Sequence, residues 1–131
     1  MTGAVTKVIV DQDAPPIAKI FAHEIRRILH VGHRQHLVAG LPACFALIST
    51  VDPQKVSIHV KDTQIEVTGN LSPKAVIQIH LDFSRMEDPS AKPSVKGLWR
   101  HPLYAMRIDQ FLRPVTTTWT DDAKQIGRAH V

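Results

Sequence analysis

The sequence predicts an α+β domain: an antiparallel five-stranded sheet with helices covering one face. Three observations predict it. Apolar residues recur at helical spacing over 14–31, the period switches to two between 43 and 99, and Pro102 opens a stretch that is apolar over most of its circumference. At 131 residues the chain has the length of one domain, 1–131, enough to bury about two-thirds of its unfolded surface.

The first helix, about 14–31, carries Ile17, Ile20, Phe21, Ile25, Ile28 and Leu29 on one face and Lys19, His23, Arg26 and Arg27 on the other. Asp13 is a candidate cap for its free N–H groups, and Pro15 and Pro16 suit a first turn whose donors have no partner. Gly32 is a stop signal, and another short helical turn fits between Gly32 and Pro42.

From Ala43 the period changes, and the sheet is expected over about 43–99. "CFALIST" is a continuous apolar run of strand length, and "KVSIHVK" alternates Val56, Ile58 and Val60 against Ser57, His59 and Lys61. "QIEVTG" follows a two-residue turn, and Gly69 and Asn70 break it. "KAVIQIHLDF" puts Ala75, Ile77, Ile79, Leu81 and Phe83 on one face, and "SVKGLW" is a short last strand after a polar loop. The apolar helix is expected over about 102–112, ended by Pro114, and a C-terminal helix over about 119–130.

Composition narrows the function classes. At 44% hydrophobic and 21% charged, the chain is neither disordered nor membrane-spanning, and its longest apolar run, Ala43 to Ile48, is too short for a bilayer. The N-terminus lacks the cationic and apolar regions of a signal peptide, and a lone Cys44 cannot form an internal disulfide; both suit the cytoplasm. The net charge of +4 is spread evenly, with no basic tail or dense patch, which argues against nucleic acid.

The sequence offers no catalytic constellation. His30, His33 and His36 are spaced by three, but Gly32 interrupts them and no Cys, Asp or Glu joins them at ligand spacing. Cys44 sits in an apolar neighbourhood, which raises a thiol's pKa rather than activating it. Phosphate loops, nucleophile elbows and paired carboxylates are all lacking. No enzyme, metal or cofactor is expected.

The helix after Trp99 carries the functional signal. Leu103, Tyr104, Ala105, Met106, Ile108, Phe111 and Leu112 leave only Arg107, Asp109 and Gln110 for water. Such a helix is either buried all round or has two apolar partners, the core and something else.

The order of elements and the stretch from Ala43 to Pro114 resemble the sterol carrier protein 2 superfamily of lipid-binding domains. The resemblance rests on "FAL" at 45–47, a V-x-I-x-V-K-D-x-x-I-x-V hairpin at 56–67, alternating Ile and Leu at 77–81, V-x-G at 95–97 and A-M-x-I at 105–108. It implies a non-enzymatic domain that binds a lipid, sterol or other apolar ligand in a cavity between sheet and helices. Phe83, Trp99, Leu103, Tyr104, Met106 and Phe111 would then line the cavity, with Arg100 and His101 at its mouth to meet a carboxylate or phosphate head. The chain departs from the pattern between 84 and 93, where a short polar loop replaces a longer helical insertion. That shortened wall leaves an alternative: a structural or interaction domain with a filled cavity, acting through a homodimer or partner. Transient contact with a membrane surface is compatible with either.

Overall fold

A computed structural model describes residues 6–30, 34–86, 88, 92–117 and 119. The architecture is α+β, with two α-helices and a mixed six-stranded sheet among these residues. The elements run β1 (Lys7–Val10), α1 (Pro16–His30), a 3-10 turn (Arg34–Leu37), β2 (Cys44–Ser49), β3 (Lys55–Lys61), β4 (Gln64–Thr68), β5 (Gln78–Leu81), a second 3-10 turn (Phe83–Arg85), β6 (Ser94–Lys96) and α2 (Pro102–Thr117). The spatial order is β1-β4-β3-β2-β5-β6.

This corrects the expected antiparallel five-stranded sheet in two ways. A sixth strand, β1, pairs in parallel with β4, and β5 lies parallel to β2 rather than beside β4. The antiparallel meander is confined to β2, β3 and β4, and residues 75–77 belong to no strand.

The pleat sorts the side chains. Val8, Val56, Ile58, Ile65, Val67, Phe45, Leu47 and Ile79 face the helices and join one buried cluster with Ile17, Phe21, Ile25 and Ile28 of α1 and Ile108, Phe111 and Val115 of α2. Among the described residues, the opposite face is covered in part by the connection 69–77. Ser57 points to that face, and its hydroxyl donates to the Asn70 carbonyl at 2.5 Å and accepts the Ser72 N–H at 2.8 Å. Cys44 and Ala46 are thereby buried from the second side. A strand covered on both faces reads as a continuous apolar run, and this is why "CFALIS" does not alternate.

The sheet contains two parallel crossovers, β1 to β2 through α1 and β4 to β5 through 69–77. Both step the same way across the strand order but on opposite faces, so they have opposite hands. The rule favouring right-handed crossovers concerns a twisted strand feeding a packed helix; the nine-residue link 69–77 contains none.

Edges and ends are tied by side chains. The Lys7 N–H donates to the Thr63 carbonyl, so the Val8 carbonyl faces the open edge, where Arg26 donates to it at 2.8 Å. Arg26 is therefore more than the solvated cation its helical position suggested. Gln35 links β1 to α1, accepting the Thr6 N–H at 3.1 Å and donating to the Leu29 carbonyl at 3.0 Å. α1 begins at Pro16, with the Ala18 N–H bonded to the Pro15 carbonyl, so Asp13 stands upstream of the cap position. The Gly32 stop signal lies outside the described residues. Glu24 occupies the buried stripe of α1 and is held by Arg27 at 2.7 Å.

α2 does not stop before Pro114 as expected; it continues to Thr117. Pro114 removes one helical N–H, but burial of Val115 and Trp119 favours carrying the chain on, and the Thr116 hydroxyl donates to the Arg113 carbonyl at 2.9 Å. The helix expected over 119–130 lies outside the described residues except for Trp119.

Candidate functional site

The eight residues expected to line a ligand cavity fall into three groups. Phe83 and Phe111 are fully buried core residues. The Phe83 ring meets Phe21 edge-on at 5.3 Å, Phe111 meets Phe45 edge-on at 6.5 Å, and Phe21 meets Trp119 at 5.0 Å. Edge-to-face pairs suit the ring quadrupole, and these rings occupy space between sheet and helices where the ligand was expected.

Trp99, Leu103, Tyr104 and Met106 point the other way. Trp99 is 93% exposed, Leu103 59% and Met106 47%, with Leu98 and Tyr104 just over one-third. The buried stripe of α2 comprises Ile108, Phe111, Leu112 and Val115, so its first turns overhang the body with no fully buried side chain. The turn before the helix is nearly helical itself: the His101 N–H bonds the Gly97 carbonyl and the Ala105 N–H bonds the His101 carbonyl, each at 3.0 Å. Trp99, Leu103 and Met106 follow one another at spacings of four and three along this path, forming a short apolar ridge.

Arg100 and His101, the third group, line an open cleft of about 570 Å³ with Lys96 and Gln78; Ala75, Val76 and Gly97 supply its remaining wall. Arg100 and His101 were legible in the sequence as part of a site; Lys96 and the 75–78 wall were not. The signal for Lys96 was period two, since Ser94 and Lys96 alternate against Val95. The wall comes from the β5–β6 pairing, which brings Gln78 opposite Lys96.

Gly97 makes this junction possible. Its φ is +97°, and a Cβ there would stand 2.7 Å from the Val76 carbonyl oxygen. Only a residue without a side chain both adopts that conformation and lets the turn approach the cleft wall so closely.

Among the cleft-lining residues the fixed charges have one sign. Residues 89–108 hold Lys92, Lys96, Arg100 and Arg107 and no Asp or Glu. Of the seven cleft-lining residues, Lys96 and Arg100 are basic and none is acidic. The His101 ring lies 5.7 Å from the Tyr104 ring at the start of α2. The arrangement suits an anionic group beside an apolar one.

Elsewhere the chemistry is sparse. Cys44 is buried under the 69–77 connection, and burial pushes its thiol up, opposed more weakly by a Ser72 hydrogen bond and the charge of Lys74. Among the described residues no three His, Cys, Asp or Glu side chains gather into a metal-holding group; His33 lies outside them. A second open cleft, about 480 Å³, is lined by Gln35, Val38, Val60, Lys61 and Asp62, where the two charges offset. Among the described residues no helix is long and apolar enough to cross a membrane. Compared with known proteins, the chain matches no family model, no curated protein and no solved structure.

Proposed function

We propose that the chain is a non-enzymatic binding domain for an amphiphilic lipid, engaged from outside by the cationic cleft and the apolar ridge. The observation that carries this is the adjacency of Lys96, Arg100 and His101 in one cleft to the exposed Trp99, Leu103 and Met106. A carboxylate or phosphate head would sit among the cations, where charge-assisted hydrogen bonds are about twice as strong as neutral ones. The acyl or ring portion would cover the ridge, removing apolar surface from water.

The relationship to the sterol carrier protein 2 superfamily is part of the proposal. In its support, α1, the three-strand meander, the β5 strand, the V-x-G strand β6 and α2 follow each other in the order the resemblance implies. The ring-packed interior and the ligand's placement outside it set this chain apart from that pattern.

The test is displacement of a fluorescent fatty acid by unlabelled fatty acid and lysophospholipid, kept monomeric, with lipid extraction of protein purified from cells. Binding should weaken about fivefold in Arg100→Gln. The absence of both co-purified and displaceable lipid ends the proposal.

A second reading has its own observation. Phe21, Phe45, Phe83 and Phe111 are fully buried together, which favours an interaction domain whose filled interior supports a homodimer or partner surface. Light scattering after size exclusion separates the two: a monomer at high concentration that binds fatty acid rejects the dimer.

A further inference from the structure

We infer that the ridge and its surrounding cations form a docking face for an anionic phospholipid bilayer, with Trp99 entering the headgroup layer. This rests on the external lipid site proposed above and names the surface from which its ligand is drawn.

Three features select a bilayer over other occupants. First, the most exposed large apolar residue among the described ones is a tryptophan, Trp99, 93% exposed on the turn at 97–100. An indole combines an apolar body with an N–H donor and favours the membrane–water boundary. With Leu103 and Met106 it offers a shallow apolar edge, the shape for interfacial rather than spanning insertion.

Second, charge complementarity points to an anionic surface. Lys96 and Arg100 line the cleft beside the apolar residues, and the sequence carries no acid between Asp88 and Asp109. Each Lys or Arg held close to an anionic leaflet strengthens binding by about fivefold.

Third, the same charges disfavour a second copy. A two-fold interface uses one patch twice, so pairing through Trp99 would bring the Lys96 and Arg100 charges of the two copies together. Like charges brought together at an interface are costly; on an anionic bilayer they are neutralised instead.

The experiment is sedimentation with vesicles of phosphatidylcholine alone and of phosphatidylcholine with phosphatidylglycerol, at low and high salt, using the full chain. Expected is binding to the mixed vesicles only, weakened at high salt as screening shortens the reach of charge. Trp99→Ala should weaken it by about tenfold or more, and Lys96→Gln with Arg100→Gln by about thirtyfold. Brominated lipid should quench the fluorescence of the wild type but not of Trp99→Phe. Unchanged melting temperatures certify the variants as folded.

Equal binding by Trp99→Ala, or equal binding to neutral vesicles, overturns the inference. So does a dimer in light scattering that Trp99→Ala dissolves, which assigns the face to a second copy, or a protein partner that protects Trp99 while vesicles do not. Monomeric fatty-acid displacement separates the two proposals. If it persists without vesicle binding, the external site stands and the bilayer inference falls; if vesicles bind and monomers do not, the reverse holds.

Discussion

The hydroxyl of Ser57 accepts the Ser72 N–H at 2.8 Å, fastening the link between β4 and β5 to the sheet face away from the helices. The same hydroxyl donates to the Asn70 carbonyl, and Ser57 is fully buried. Ser57→Ala leaves a donor and an acceptor under the crossover without their partner. A buried group so stranded costs about 1–3 kcal/mol. The expected result is a lower urea midpoint with unchanged m, and faster amide exchange at Ser72.

Phe111 and Trp99 should respond oppositely to truncation. Phe111 is fully buried against Phe45, so Phe111→Ala removes a core ring and costs about 3–5 kcal/mol. Trp99→Ala, at a site 93% exposed, should stay within about 0.5 kcal/mol of wild type. Thermal melts of the two variants check this. A large loss at Trp99 would place it in a packed environment.

Gly97→Ala should be among the more damaging single-methyl changes in the chain. The backbone at φ +97° and the 2.7 Å approach to the Val76 carbonyl both oppose a side chain. A cost of about 1–3 kcal/mol is expected, together with weaker fatty-acid binding, because the turn must move away from the cleft wall. Gly97→Ala that melts like wild type would show that the turn tolerates a Cβ.

Cys44 gives a pH dependence of definite sign. Burial raises its pKa above the ordinary value, so the folded chain keeps the thiol proton to higher pH than the unfolded chain does. Its stabilising contribution is full below the unfolded thiol's pKa of about 8.5. It is lost as pH rises through the folded value. The urea midpoint should therefore fall between neutral and alkaline pH, and fall less in Cys44→Ala. Alkylation at neutral pH should be slow in the native protein and fast in urea.

Much of the fold was legible because its signals are local. α1 announces itself through 3.6-residue spacing, and Lys55–Lys61 and Gln64–Thr68 through strict alternation around a two-residue turn. β1 was missed because "KVIV" does not alternate and its partner, Gln64–Thr68, lies over fifty residues away. The parallel placement of β5 was missed because a helix-free link of nine residues reads as a turn between hairpin strands; the Ser57 hydroxyl and the backbone bonds of Val76 and Ile77 to β2 that hold the link give no local signal.

The candidate site divides in the same way. Arg100 and His101 were found as a basic pair beside an apolar segment, and the cleft does contain them. Lys96 and the 75–78 wall join them only through the β5–β6 pairing. Apolar character alone did not separate Phe83 and Phe111 from Trp99, Leu103 and Met106.

By itself, the sequence determined the α+β class, the apolar face of α1, the β2–β4 meander and the apolar, cationic character of the stretch around Trp99. These follow from periodicity and composition, which each segment carries within itself. Tertiary structure decided which apolar residues became core and which remained outside. α2 has more apolar circumference than the sheet can cover, and the side turned inwards is set by where β2 and α1 place Phe45 and Phe21. The residues left over are those that meet water, or whatever replaces it.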